Sequence, residues 1–258
     1  MPTANEIFDA LMSGIERVTP TADGLISGDG EREVRRIVTC HKLTFDLLDR
    51  AKAARADMIV THEPPYVDGN YPGAHIPVDV EKSHRIAESG IAVYRFHDHA
   101  HLAPADYIHE GFLRATGLKV SPRTGEFMSL GLRRYTLDEP MTARELAELC
   151  RDKLGAKHAR VAGSAKRRFG SVILALGGIG YPQIKELAEP WCDLIVTGEL
   201  NEVLELEHVK DICYLYGEKA VLLLGHYTAE YMGMRLVAER LRELGYDAEC
   251  LDSGEVWE

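Results

Sequence analysis

Two eight-residue stretches constrain this chain more than anything else in it. Ala56-Asp57-Met58-Ile59-Val60-Thr61-His62-Glu63 recurs as Cys192-Asp193-Leu194-Ile195-Val196-Thr197-Gly198-Glu199, with six of the eight positions identical or exchanged Met for Leu. Each copy is a short apolar run, suited to a buried strand, that ends on a polar corner. Each is followed by a helical pattern and then a second apolar run. Residues 91–96 lead into His97-Asp98-His99-Ala100-His101, and residues 220–224 lead into Gly225-His226-Tyr227-Thr228-Ala229-Glu230. Strands alternating with helices imply an α/β fold of two similar lobes with mostly parallel sheets covered on both faces. In such folds ligands sit at the carboxyl ends of the strands, which is where these polar corners lie.

The rest of the chain fits that frame. Thr3 with Glu6, and Thr142 with Glu145, read as capping boxes that open helices. Strands are expected at 34–40, 58–61, 91–96, 130–137, 158–162, 172–176, 194–197 and 220–224. Helices are expected at 44–54, 78–89, 104–116, 183–188 and 202–212, and a long amphipathic stretch at helical spacing covers 231–244. Gly177-Gly178-Ile179-Gly180 follows a strand but lacks a full dinucleotide fingerprint, so a tight turn is expected there rather than a phosphate cradle.

The corner residues carry the chemistry. His62, Glu63, His97, His101, His226 and Glu230 gather at three strand exits, and His226 and Glu230 repeat the four-residue spacing of His97 and His101. If a helix begins at once after residue 225, His226 and Glu230 share one face; if Thr228 caps it, Glu230 falls in its first turn. Imidazoles mixed with carboxylates suit borderline first-row cations, and the absence of cysteine among them argues against a closed structural zinc site. Taken singly, each of these histidines is better explained by structure than by ligation. Three strand ends bearing such groups favour a metal. His99 and Asp98 share the corner but alternate away from His97 and His101. His41, His75, His84, His109, His158 and His208 are expected on helices or loops as surface or satisfied residues.

For His62, His97 and His226 to meet, the last strand and helix must return to the first lobe. The expected domains are therefore residues 1–125 plus 220–258, bearing the metal, and residues 126–219. The 258-residue chain carries a net charge of −11, a poor match to nucleic acid or an anionic membrane. No apolar run approaches the ~18 residues of a membrane span, and the first residues do not resemble a signal peptide. Five cysteines without a CxxC pair fit small buried hydrophobes in a reducing compartment, and the expected location is cytoplasmic.

These motifs resemble the Nif-three-like dinuclear-metal family, often labelled GTP cyclohydrolase I type II homologues. The carriers are Ser27-Gly28-Asp29, His62-Glu63-Pro64, the strand into His97, Ile195-Val196-Thr197-Gly198-Glu199 and, above all, Gly225-His226-Tyr227-Thr228-Ala229-Glu230. The resemblance covers nearly the whole chain. It implies a ring-shaped homohexamer of two-lobed subunits, each with two divalent transition-metal ions (Fe, Mn or Zn). The implied activity is hydrolysis of a small phosphorylated or nucleotide-like substrate by a metal-bridging hydroxide, with Glu230 as shared carboxylate and Glu63 as alternative general base. A non-enzymatic metal-binding scaffold, carrier or interaction protein is the other function the resemblance allows. The chain departs from the family pattern twice. Glu63 stands where a second histidine is usual, and His101 where an aspartate is usual. If both positions serve one ion, its ligand count and charge are unchanged, which describes a rearranged site rather than a lost one.

Overall fold

Strand pairing is organised around the sequence repeat. The computed structural model describes residues 1–178 and 181–256, and the chain divides into two compact units, Met1–Tyr107 with Gly233–Gly254 and Ile108–Met232 with the residues from Glu255. In the first unit, β1 (Gly24–Ser27), β2 (Arg36–Lys42), β3 (Met58–Glu63), β4 (Ala92–Arg95) and β11 (Asp247–Cys250) form a sheet in the order β1-β4-β3-β2-β11. All neighbours are parallel except β1, which runs antiparallel to β4. Period-two alternation divides the strand residues between two cores. Ile37, Met58, Val60, Ala92 and Tyr94 face α1 (Ala4–Leu11) and the later turns of α9 (His226–Glu243) through Ile7, Leu11, Met234, Val237 and Leu241. Val38, Cys40, Ile59 and Val93 face α2 (Phe45–Ala53) and α3 (Pro77–Ser89) through Leu47, Leu48, Ala51 and Ile86.

The second unit repeats the scheme on a more mixed sheet. Its strands are β5 (Val120–Ser129), β6 (Leu132–Thr142), β7 (Arg160–Gly163), β8 (Arg168–Ala175), β9 (Leu194–Thr197) and β10 (Ala220–Leu223), in the order β5-β6-β8-β9-β10-β7. The parallel part is β8-β9-β10. One face packs on α5 (Tyr107–Thr116) and α6 (Ala143–Leu154), the other on α7 (Tyr181–Ala188) and α8 (His208–Tyr216). Both expected capping boxes are formed, at Thr3 with Glu6 and at Thr142 with Glu145.

The repeat is visible in the hydrogen bonds. The amide of Ala92 donates to Asp57 O at 3.0 Å and that of Phe96 to Thr61 O at 2.9 Å. Ala220 donates to Asp193 O at 2.9 Å and Leu224 to Thr197 O at 3.0 Å. Phe96 is therefore the counterpart of Leu224, and His97 the counterpart of Gly225. The equal spacing of His97–His101 and His226–Glu230 in the sequence is thus one residue out of structural register. In both units the shared aspartate anchors the foot of its strand. Asp57 accepts from Arg35 N, Arg36 N and the Arg32 guanidinium, and Asp193 pairs with Arg167 and Lys219. Burial pushes the Asp57 carboxyl up, but these donors outweigh it and hold the group below its ordinary value.

Several expectations are corrected. β10 pairs with β9 and β7 in the second sheet, and the chain joins the first unit only from Gly233, so the expected boundaries at 125 and 220 do not coincide with the division at 107 and 232. Hydrogen-bond register decides this, because Ala220–Leu223 continues the parallel ladder of Leu194–Thr197. His41 lies on β2, buried, because the ladder with β3 runs on to Lys42 opposite Glu63. The stretch expected as one helix at 202–212 is a π-helical turn at Glu202–Leu206 followed by α8, with the Asn201 side chain accepting from Val203 N and Leu204 N. Strands β1, β5 and β11 were not anticipated. Ile179 and Gly180 lie outside the described residues, so the four-residue glycine motif is described only at Gly177 and Gly178. Burial pushes the thiols of Cys40, Cys150 and Cys192 up to about 12, as suits small buried hydrophobes. Among the described residues no helix is long and apolar enough to cross a membrane.

Candidate metal centre

The site residues of the first unit gather where β3 and β4 end, with His101 carried by the short helix that follows β4. Thr61, the last wholly buried hydroxyl of β3, lies 3.0 Å from Glu63 O and 3.3 Å from His41 O, which ties the β3 exit to that of β2. His62 follows it, fully buried, and Glu63 comes next, half-buried on the opposite side of the strand. After β4 the chain turns at His97 into a short helix, α4 (Asp98–Leu102). His97 and His101, four apart, share a side of that turn, and His99 points elsewhere.

Asp23, at the foot of β1, makes this turn possible. Its carboxylate accepts from the backbone N–H groups of His97, Asp98 and His99, at 2.5, 3.1 and 2.8 Å, and so caps α4 from outside. The same carboxylate lies 2.7 Å from His99 Nδ1, and Val18 N–H donates to His99 Nε2, which places the ring proton on Nδ1. His99 is thereby consumed as a structural residue.

His62, His97 and His101 each offer a ligand atom within 4.8 Å of the others. The rings of His62 and His97 stack with centroids 4.5 Å apart, and His101 stands edge-on to both, at 5.3 and 5.2 Å. In every case Nδ1 faces a group that can only accept. His62 Nδ1 lies 3.1 Å from Phe96 O, His97 Nδ1 2.8 Å from Asp98 Oδ1, and His101 Nδ1 3.2 Å from Asp106 Oδ2. An acceptor at Nδ1 fixes the proton there and makes Nε2 the basic nitrogen of the ring, the usual supporting arrangement for a metal-bound histidine. Asp98 also accepts from Thr21 Oγ1 and Ala22 N, and its carboxyl lies well below the usual carboxylate range because of the His97 contact and these donors. Beside this cluster, Glu63 Oε1 is 3.8 Å from His97 Nε2, and a ring nitrogen of His41 and a carboxylate oxygen of Glu63 come within 4.8 Å. The two positions that depart from the family pattern thus fall in different donor groups: His101 joins His62 and His97, whereas Glu63 joins His41.

In the second unit α9 begins directly at His226, so His226 and Glu230 stand one turn apart on one face. His226 Nε2 is 3.0 Å from Glu230 Oε2, and its Nδ1 is 3.5 Å from Glu199 Oε1. An imidazole between two carboxylates is a cation-holding arrangement, and the Glu230 side chain is only 1% exposed. The glycines around it are explained by crowding. A Cβ on Gly177 would lie 2.6 Å from Glu230 Oε1, and one on Gly178 2.2 Å from Glu199 Oε1. A Cβ on Gly198 would meet Leu176 O at 2.3 Å and His226 Cα at 2.7 Å. Gly198 is the counterpart of His62 in the repeat, and here the space is taken by the backbone of the His226 corner. Thr197 repeats the Thr61 brace, with its hydroxyl 3.1 Å from Gly177 O and 3.3 Å from Glu199 O.

Of the six residues expected from sequence, His62, His97, His101 and Glu63 gather in the first unit and His226 and Glu230 pair in the second. Sequence reasoning missed Asp23, Asp106, His41 and the placement of Glu199 against His226. Only Glu199 had a signal, as the repeat partner of Glu63. The donor set, nitrogen and oxygen without sulfur, fits borderline divalent ions.

The chain is similar over 256 residues to a GTP cyclohydrolase 1 type 2 homolog of Streptomyces coelicolor, with 26% identity covering 95% of this chain and 87% of the relative. A protein of the same name from Clostridium perfringens is 27% identical over 244 residues, covering 90% and 87%. Its fold matches the crystal structure of a Bacillus cereus protein related to NIF3, with TM-score 0.78 and 16% identity over 99% and 98% of the two chains. The profile of Duf34/NIF3 (NGG1p interacting factor 3) matches residues 15–253, and the chain belongs to that family.

Proposed function

We propose that this protein is a metal-dependent hydrolase of a small phosphorylated or nucleotide-like substrate, holding two divalent first-row ions (Fe, Mn or Zn) on His62, Glu63, His97, His101, His226 and Glu230. The observation that carries the reading is the common setting of His62, His97 and His101, each with Nδ1 facing an acceptor, which favours the proton there and the basic nitrogen at Nε2. Three rings set alike in one corner suit ligation better than three separate structural roles. The name shared by the relatives points toward nucleotide chemistry and supports the substrate class. Bound divalent ions supply Lewis-acid polarisation and acidify water. The protein's own part is to hold the rings in place and to keep the buried Glu230 beside His226; Glu63, next to His97, is the alternative proton acceptor if it is not itself a ligand.

Elemental analysis of the purified protein tests this directly. His101→Ala is expected to lose about one ion per chain with its circular dichroism unchanged. Asp106→Asn, which keeps the ring but weakens the Nδ1 acceptor, is expected to bind that ion roughly 10–100-fold more weakly. Full occupancy in both variants would remove His101 from the ligand set. Chelator-sensitive turnover in a screen of phosphoesters and cyclic nucleotides supports hydrolysis; full occupancy with no turnover leaves a metal-holding protein without that chemistry. The assembly we propose is a closed homohexamer. Light scattering that gives a stable monomer of 28.7 kDa at micromolar concentration would refute it.

A further inference from the structure

The second unit carries a cavity of about 630 Å³ at the carboxyl ends of β9 and β10. One side is formed by the strand exits already described, Gly198, Glu199 and Gly225. Lys157, His158 and Arg160 line it as well. Arg160 opens the edge strand β7 and pairs with Leu223, which fixes its place beside the exit of β10. A second cavity of about 550 Å³ shares Ala159 and Arg160 with the first and is lined further by Arg144 and Arg151. Arg144 and Arg151 lie two turns apart on α6, on the face that also presents Ala147 and Glu148. Four cationic side chains and a histidine thus line two adjoining hollows, in a chain whose net charge is −11. Three carboxylates line the same hollows and partly offset them, Glu199 and Glu202 in the first and Glu148 in the second; Glu202 pairs with Arg160 at 3.4 Å, with side chains 69% and 65% exposed, weak enough for a ligand to displace.

We propose that these hollows form the anion subsite of the His226 corner and take a small molecule bearing a pyrophosphate or longer phosphate chain, which Arg160 engages between the two cavities. This rests on the reading of the corner as a metal-dependent site for phosphorylated substrates and names the part of the substrate that the protein itself recognises. A single phosphate would occupy one hollow; Lys157 in the first hollow and Arg144 and Arg151 in the second, with Arg160 shared between them, match a chain of phosphates, since each guanidinium presents a planar fork to phosphate oxygens.

The test is calorimetric titration with inorganic pyrophosphate, using protein stripped with EDTA and dialysed, because pyrophosphate also sequesters divalent ions. Saturable binding is expected, at least tenfold tighter than that of inorganic phosphate at equal ionic strength. Arg160→Glu and Arg144→Glu should each weaken it by roughly tenfold or more, the scale of a lost charge-assisted hydrogen bond. Lys210→Glu makes the same charge change on exposed α8, at a residue that lines neither cavity, and should leave the affinity within about twofold. Pyrophosphate binding no tighter than phosphate, or equal loss in Lys210→Glu and Arg160→Glu, would overturn the subsite. Metal content, measured separately, distinguishes the two readings. A protein that holds metal but not pyrophosphate loses the subsite alone. One that binds pyrophosphate at this face but holds no metal keeps the subsite and loses the metal reading.

Discussion

Asp23→Ala is expected to be among the most damaging single changes in the first unit, at about 3–5 kcal/mol of stability, and to strip the proposed metal from the His62, His97 and His101 corner at the same time. The carboxylate accepts from three backbone N–H groups and one imidazole nitrogen, and its side chain is 1% exposed. Removing it leaves buried donors without an acceptor, each worth about 1–3 kcal/mol, against a total stability of roughly 5–15 kcal/mol for a typical domain. Since α4 starts on those same N–H groups, His97 and His101 lose their fixed positions. Urea unfolding and elemental analysis should move together. Asp23→Asn keeps one acceptor oxygen and is expected to fall between the two. A loss below about 1 kcal/mol would mean that α4 holds its place by packing of Ala100 and Ala103 alone.

The second large effect is expected at Gly198. Its missing side chain is replaced by the carbonyl of Leu176 and the Cα of His226, both backbone atoms, so Gly198→Ala cannot be absorbed by a rotamer change. A loss of about 2–4 kcal/mol is expected, together with displacement of His226 from Glu230. Gly170→Ala provides the contrast. It lies in β8 with nothing within 4 Å of the added atom, and should be neutral or slightly stabilising. Thermal unfolding of the two variants side by side checks the argument, and equal melting temperatures would show that the β9 exit has slack the structure does not reveal.

Much of this site was legible in the chain because strand exits announce themselves. Met58-Ile59-Val60-Thr61 and Leu194-Ile195-Val196-Thr197 are apolar runs of strand length, and whatever follows them must sit at a sheet edge. Both capping boxes were equally plain, since their residues act within four positions of one another. What was hidden depends on partners distant in sequence. Asp23 meets His97 across 74 residues, and nothing near it distinguishes it from any other loop aspartate. β5 is mostly exposed and shows no alternation, so its sequence carries no strand signal until β6 pairs with it. The equal spacing of His97–His101 and His226–Glu230 marks two pairs that each stand one helical turn apart, although their structural counterparts differ by one position. Helical geometry brings any i, i+4 pair onto one face, whatever the register of the strand before it.

The crowding at Gly198 also bears on how two copies of one unit drift apart. Both kept the threonine brace and the glutamate, yet only one has a side chain between them. With the start of α9 in that space, no single substitution can place a histidine in the second copy, because a backbone segment would have to retreat first. The difference between the halves is therefore held by steric history. Exchanging their corner sequences would not exchange their roles.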